Sequence, residues 1–280
     1  MPELPEVETI RRELGPLLVG RTITGVTVGW EGCVDRPSIP AFCEQVVGRR
    51  IEAVGRRGKF LVIQLSGGRA LLVHLRMTGS LLVSEPGAPW ETHARLAFGL
   101  DDGREMRFVT VRKFARLYLV EEPDEVVGDL GPEPLEEGFD QEAFCQLFQN
   151  RRGRIKPLLL DQRFLAGLGN IYVDEALFRA RVHPRRLANS LAREELGRLY
   201  HEIRGVLQEA IADRGTSRSD YVRPDGSEGS HQDRLLVSGK AGEPCPRCGT
   251  EIERIVVGGR GTFFCPRCQT APPNEPCRPS

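Results

Sequence analysis

Apolar positions change their spacing along the chain, and each change predicts a different kind of element. Residues 5 to about 14 read as a helix. Pro5 suits a first helical turn, Glu6 and Glu8 sit where the helix dipole favours acids, and Val7, Ile10 and Leu14 share one face. From Thr22 to Val120 the pattern becomes short apolar or alternating runs, for example Phe60–Leu65, Ala70–Leu75, Leu81–Val83, Arg95–Leu100, Glu105–Val111 and Arg116–Val120. Gly67-Gly68, Pro86-Gly87 and Asp101-Asp102-Gly103 punctuate them, and many short strands so punctuated predict a sandwich or barrel. Helical spacing follows in Gln141–Asn150, Pro157–Leu160, Ile171–Arg179 and Leu191–Asp213, then a polar, Gly-rich loop over Thr216–Gln232. Glu251–Val257 and Thr262–Phe264 predict two final strands, and no internal repeat is visible.

The 280 residues suit about two domains, and 40% hydrophobic with 28% charged is an ordinary globular composition. Thirty-nine basic residues balance 39 acidic ones, which by itself argues mildly against a polyanionic partner. The zero hides polarity. Ten carboxylates and no Lys or Arg lie between Glu121 and Glu142, a stretch that also holds Pro123, Pro132 and Pro134, whereas nine basic residues face three acidic ones from Arg151 to Arg186. An acidic linker followed by a basic face is expected, with the basic block, Lys59, Arg112 and Arg260 converging on one positive groove. No run of 18 apolar residues predicts a membrane span, and the acidic start MPELPEVE is unlike a secretory signal. Eight cysteines are too few for a disulfide scaffold, so a cytoplasmic, reducing setting is expected.

Cys245-x2-Cys248-x16-Cys265-x2-Cys268 is the strongest spacing in the chain. Two such knuckles can close a tetrahedral four-cysteine zinc site with no coordination position left for a substrate. Gly258-Gly259-Arg260-Gly261 between the strands places Arg260 at the tip of a zinc-pinned hairpin, as a functional cation or a solvated turn residue. Cys33, Cys43, Cys145 and Cys277 lack such spacing and read as plain thiols. At the other end, removal of the initiator Met before a small residue would expose Pro2 as a secondary amine. An α-amino group has a reference pKa near ~8 against ~10.4 for Lys, so more of it is neutral and nucleophilic. Such an amine can form an iminium intermediate, with Glu3 and Glu6 beside it to move protons; alternatively Pro2, Pro5 and the acids only shape a helix entry. Four lysines (Lys59, Lys113, Lys156, Lys240) stand against 35 arginines, which draws attention to each compact ammonium. Gly167-Leu168-Gly169-Asn170 lacks the third glycine of a dinucleotide loop and reads as a turn approaching phosphate, with Asn170 as donor.

With MPELPEVETIRREL, Ile155–Asp161 (IKPLLLD), Gly167–Phe178 (GLGNIYVDEALF) and Cys245–Gln269 in this order, the chain resembles the formamidopyrimidine-DNA glycosylase family from residue 2 to about 270. The resemblance implies an α+β multidomain fold: an N-terminal β-sandwich with an N-terminal helix over 1–120, the acidic linker over 121–140, a helix–two-turn–helix domain with a lesion loop over 141–232, a zinc finger over 233–270 and a tail over 271–280. It implies excision of oxidised purines (8-oxoguanine, formamidopyrimidines) from duplex DNA and strand cleavage at the abasic site. It further implies one structural zinc, damaged double-stranded DNA as partner, a monomer, no membrane association and a bacterial-type cytoplasm.

Carried over by position, Pro2 resembles the nucleophile, Glu3 the proton donor, Glu6 the support of the sugar or Schiff base, Lys59 the β-elimination lysine and Arg260 the phosphate-gripping arginine linked to δ-elimination. Met77, Arg112 and Phe114 match the trio that fills the gap left by a flipped base. His74, His93, Arg151, Arg154, Lys156 and Asn170, with Arg112, are expected to hold DNA phosphates. As isolated residues, Met77 and Phe114 would instead read as core, and the two histidines as structural or solvated. Thr110 and Ala115 stand where the family often has Asp and Gly, and Arg214-Gly215-Thr216-Ser217 replaces Gly-Gly-Thr-Thr. PELPEV rather than PEGPEI favours the oxidised-purine branch. An endonuclease-VIII-like enzyme for oxidised pyrimidines and a non-catalytic zinc-ribbon damage binder are the alternatives.

Overall fold

Helix α1 (Leu4–Leu18) starts at an extended Glu3 and holds Pro5 in its first turn, as the sequence predicts. It runs one turn further than the expected limit, through Pro16, because Leu14 and Leu18 are both fully buried. The computed structural model describes residues 2–217 and 221–271; the expected tail beyond Ala271, including Cys277, lies outside the described residues. Two units are distinguished, Met1–Asp129 with Ala210–Gln232, and Leu130–Glu209 with Asp233–Ser280.

In the first unit α1 is followed by β1 (Ile23–Val28), β2 (Val34–Arg36), α2 (Ile39–Val46), β3 (Ile51–Arg57), β4 (Phe60–Leu65), β5 (Arg69–His74), β6 (Gly79–Ser84), β7 (Ala94–Leu100), β8 (Glu105–Thr110), β9 (Arg116–Val120) and α3 (Asp124–Val127). The strands form two sheets, ordered β1-β7-β8-β6 and β2-β9-β5-β4-β3. All pairings are antiparallel except β2 with β9. Leu61, Ile63, Leu71 and Val73 from one sheet share a core with Leu96, Phe98, Met106 and Phe108 from the other and with Val7, Ile10 and Leu14 of α1. This is the expected sandwich, with the helix packed into its core.

Residues 210–232, expected to belong wholly with the helical domain, join this first unit. The physical reason is local: Tyr221 is buried in the sandwich core, Arg223 Nε donates to Glu13 Oε1 at 2.8 Å, and the Thr216 N–H donates to Glu6.

The second unit carries α4 (Gln141–Leu147), α5 (Ile155–Leu160), α6 (Asn170–Arg179) and most of α7 (Arg193–Ala212), then the hairpin β10 (Glu253–Val257) and β11 (Arg260–Phe264). Asp140 caps α4, its Oδ1 accepting from the Ala143 N–H at 2.8 Å. Among the described residues no helix is long and apolar enough to cross a membrane.

Candidate active site and nucleic-acid interface

The start of α1 brings the N-terminal acids together. Glu3 and Glu6 form a capping box, with the Glu3 N–H donating to Glu6 Oε2 at 2.7 Å. The other oxygen, Oε1, accepts the Thr216 N–H at 2.9 Å. Both acids are only 2% exposed, and Pro2 is buried beside them. Thr216 can reach Glu6 because Gly215 has φ +85°, and a Cβ there would meet Glu6 Cγ at 3.0 Å. The glycine replaced in this segment is therefore the one at Arg214, which itself adopts φ +62°, while the glycine that must approach Glu6 is kept.

Lys59 enters from the turn of the hairpin β3–β4. Gly58 turns the chain at φ +57°, and the register then pairs Phe60 with His74. Lys59 is 6% exposed and His74 8%. Burial pushes the His74 imidazole down to about 3, and the charges of Arg76 and Lys59 add to the effect, so His74 is neutral near pH 7. Its Nδ1 accepts the Arg76 N–H at 3.0 Å, which leaves Nε2 to carry the proton as a neutral donor. The turn before Lys59 is tied to α1: Arg56 Nη1 donates to the Gly58 carbonyl at 2.9 Å and Arg56 Nε to Glu8 Oε2 at 3.2 Å. Burial opposes ionisation of Glu8, yet hydrogen bonds from Arg11 and Arg12 and the charges of Arg11 and Arg56 outweigh it and hold the carboxyl at about 2. Sequence reading gave Glu8 only a dipole role, placed Thr216 only within a variant segment and did not single out Arg56, because their importance lies in partners remote along the chain.

Met77 is 41% exposed and Phe114 55%, which removes the core reading for both. They stand on two connections, β5–β6 and β8–β9, that the Arg112 N–H joins by donating to Thr78 Oγ1 at 3.1 Å. Arg112 Nη1 lies 3.9 Å from Met77 Sδ. His93 is half-buried. Its Nδ1 accepts from Arg95 Nη2 at 3.2 Å, and Arg95 Nε donates to the Thr110 carbonyl at 3.3 Å.

In the second unit Arg151 and Arg154 are exposed, and the Arg151 guanidinium lies 5.7 Å from the Phe164 ring centroid. Lys156 is a correction. It is fully buried, its Nζ 2.7 Å from Asp174 Oδ1 and 2.8 Å from Thr262 Oγ1, with the Gly261 carbonyl at 3.3 Å. A buried ammonium so enclosed fixes the hairpin backbone and presents no charge to a phosphate in this structure. Burial raises the Asp174 carboxyl, although Lys156 and the Phe263 N–H pull the other way. Asn170, first residue of α6, donates from Nδ2 to the same Gly261 carbonyl at 2.9 Å.

Gly258 and Gly259 make the hairpin turn at φ +57° and +73°, and a Cβ on Gly258 would meet Pro157 Cγ at 2.9 Å. Arg260 is therefore the first residue of β11, opposite Val257, rather than the tip itself, and it is exposed. Cys245, Cys248, Cys265 and Cys268 bring their four Sγ atoms within 4.8 Å of one another. Tetrahedral zinc with Zn–S near ~2.3 Å separates its sulfurs by about 3.8 Å; Cys245–Cys268 at 3.9 Å and Cys248–Cys265 at 3.5 Å fit this. The N–H groups of Arg247 and Cys268 point to Cys245 and Cys265 sulfurs at 3.4 Å, as thiolate ligands require. Arg247 and Gln269, missed in the sequence, dock this module: Arg247 donates to the Phe178 and Arg179 carbonyls at the end of α6, Gln269 to the Val182 carbonyl. Cys33, Cys43 and Cys145 are free thiols.

Comparison with known proteins covers both units. Residues 1–117 match the model of the formamidopyrimidine-DNA glycosylase N-terminal domain, 130–221 its H2TH domain, and 242–271 the zinc finger found in FPG and IleRS. The formamidopyrimidine-DNA glycosylase of Moorella thermoacetica is 50% identical over 256 residues, 90% of this chain and 93% of that one. The Pelotomaculum thermopropionicum protein of the same name is 48% identical over the same shares. The Lactococcus lactis enzyme, solved in complex with DNA containing an abasic site, superposes with a TM-score of 0.90 at 39% identity, covering 96% of this chain and all of that one. A mutant of the same enzyme solved with Fapy-dG-containing DNA gives 0.90 at 38% identity.

Proposed function

Because the chain belongs to the formamidopyrimidine-DNA glycosylase family, and is thus a zinc-finger DNA glycosylase of base excision repair, we propose that Pro2 is its nucleophile and Glu3 its proton donor. The carrying observation is the buried capping box, which holds Glu3 and Glu6 beside Pro2 at the start of α1. With Met1 removed, the neutral Pro2 nitrogen attacks C1′ of the damaged nucleotide. The C1′–N9 bond breaks and the base leaves with a proton delivered by Glu3; the nitrogen then loses its own proton, and its lone pair forms the iminium as the C1′–O4′ bond breaks and O4′ takes up a proton. Loss of a C2′ proton then expels the 3′ phosphate, the β-elimination assigned to Lys59. A second elimination expels the 5′ phosphate, which Arg260 holds.

A lesion stacked in a duplex must first be extruded, at roughly a few kcal/mol. Exposed Met77 and Phe114 offset part of that cost by stacking in the vacancy, with Arg112 facing the opposite base. His74, His93, Arg151, Arg154 and Asn170 contact the backbone; Lys156 acts by fixing the hairpin beside Arg260. The preferred lesions are oxidised purines, and the enzyme acts as a cytoplasmic monomer without a membrane partner. Domain limits near 120, 140, 232 and 270 belong to the same reading.

Borohydride trapping on an 8-oxoguanine duplex tests it. The expected result is a covalent adduct at Pro2, absent from protein that retains Met1 as shown by mass spectrometry. Binding of abasic DNA with no adduct and no cleavage would establish a non-catalytic damage binder instead. Faster excision of thymine glycol than of 8-oxoguanine would assign the pyrimidine branch.

A further inference from the structure

The loop Val111–Phe114 is exposed at every residue, yet it has to hold Arg112 and Phe114 in one geometry. Thr110 and Ala115 border it, and neither provides a tie through its own side chain: Thr110 is fully buried with Oγ1 unbonded, and Ala115 is a methyl packed in the core. The tie comes instead from Trp30, which lies between β1 and β2 of the same unit. Lys113 Nζ is 5.3 Å from the Trp30 ring centroid and the Arg116 guanidinium carbon 5.6 Å. Two cations thus share one indole. Arg116 Nη1 also donates to the Lys113 carbonyl at 2.8 Å and the Ala115 carbonyl at 2.9 Å, so the guanidinium that rests on Trp30 also fastens the loop backbone. Lys113 itself has φ +58°, a conformation that an L-residue keeps only when its surroundings hold it there.

Trp30 is itself anchored. Its N–H donates to the Arg95 carbonyl at 3.0 Å, its carbonyl accepts from Cys33 Sγ at 2.9 Å, and Gly32 has no Cβ to block the ring, since one would lie 2.4 Å from Trp30 Cζ2. The chain N–H bonded to Arg95 connects to the wedge a second way, because Arg95 Nε donates to the Thr110 carbonyl at 3.3 Å.

We propose that Trp30 is a positioning residue for the gap-filling loop: by binding Lys113 and Arg116 over its ring it fixes Arg112 and Phe114 before DNA arrives, and so sets the discrimination of the base opposite the lesion. This inference rests on the assignment of Arg112 and Phe114 to the gap. A loop without the brace must be ordered on binding, which weakens affinity and blurs selection between partner bases.

The test uses the full-length zinc-loaded protein and a tetrahydrofuran-containing duplex, which is bound without being processed, with cytosine or adenine opposite. One cation–π contact at a half-exposed site is worth a factor of about two to five, so Trp30→Leu should weaken binding roughly tenfold and compress the cytosine-to-adenine ratio. Trp30→Phe, which keeps a ring face, should restore most of both. Lys113→Gln, at an exposed side chain, should weaken binding about threefold in the parent and have no effect in Trp30→Leu, a coupling that a double-mutant cycle reads directly. In a Trp90→Phe background Trp30 is the sole tryptophan, and its emission should change when the duplex is added. Additive Trp30 and Lys113 effects, or a base ratio within twofold of the parent in folded Trp30→Leu, would overturn the proposal. If Trp30→Leu fails to fold, Lys113→Gln and the emission of Trp30 decide it alone. Failure of the parent to form a borohydride adduct would strike the catalytic assignment and leave these binding measurements standing.

Discussion

The start of α1 and the zinc hairpin solve the same problem by opposite means. Both must hold a few polar groups still. At the start of α1 the restraint is internal to the acids: Glu3 and Glu6 cap one another's backbone, and Thr216 and Arg56 reach in from segments far along the chain. At the hairpin the restraint is external to Arg260: four sulfurs on one side, and Lys156, Asp174 and Asn170 gripping the Gly261–Phe263 backbone on the other. The groups assigned to bond-making are buried and preorganised, whereas Arg260 is exposed on a short strand that a metal and an ion pair make rigid. Chemistry on C1′ needs a desolvated, fixed amine and acid; a phosphate grip needs a charge that remains accessible.

Zinc removal breaks this comparison most severely. The binding free energy of a structural zinc is about 10–16 kcal/mol in finger peptides and is spent on folding. Chelation should therefore abolish amide protection in β10 and β11 while leaving the sandwich amides of β4 and β5 protected, by hydrogen exchange. DNA binding should be lost with it. Cys265→Ser should do the same without chelator.

Second in size is Glu3→Gln. General acid–base catalysis contributes about 10²–10⁴ in rate, so base excision should fall by that factor, while an abasic site, which has no base to protonate, should be cleaved with much less loss. Because Gln keeps an acceptor for the cap, Tm should change little. A large drop in Tm with unchanged excision would reverse the roles given to the two regions, making the acid the structural element.

These two sites also differ in how far they could be read from the chain. The cysteine spacing was legible because coordination constrains neighbours three residues apart, and the place of Glu3 and Glu6 at a helix entry because capping is local. Strands β4 to β9 were legible from alternation and turns, most nearly to the residue, whereas β1, β2 and β3 had not been singled out. What escaped depends on contacts across long sequence separation. Lys156 meets Asp174 and Thr262, 18 and 106 positions away, so its place in a basic block suggested phosphate where burial shows an internal ion. Arg56 finds Glu8 across 48 positions. The short α2 and α3 carry too few turns for a helical period to stand out, and Thr216, Tyr221 and Arg223 follow α7 in sequence but find their partners in α1 and the sandwich core.

The buried pair gives the next prediction, and it separates a structural lysine from a phosphate ligand. Lys156→Met leaves the Asp174 carboxyl enclosed without its cation, and breaking a buried pair by one partner costs about 3–5 kcal/mol. Lys156→Met with Asp174→Leu should recover much of that stability in denaturant unfolding. If Lys156 touched a phosphate, the double variant would lower the slope of log K against log salt by about one. The expected slope is unchanged.

The smallest effect concerns the clamp between α1 and the turn before Lys59. Glu8 has its folded pKa depressed from 4.5 to about 2. The folded state therefore binds fewer protons than the unfolded chain between these values, so the pair's contribution to stability is present above pH 5 and fades as pH falls toward 2. Neutral Glu8→Gln lacks that dependence. Its Tm should lie below the parent's at pH 7 and approach it by pH 3, while Arg56→Gln, which loses one of the cations but leaves Arg11 and Arg12, should show a smaller gap of the same sign. A Tm gap that widens on acidification would mean that Glu8 is protonated in the folded protein, and that the turn at Gly58 is held to α1 by neutral hydrogen bonds rather than by charge.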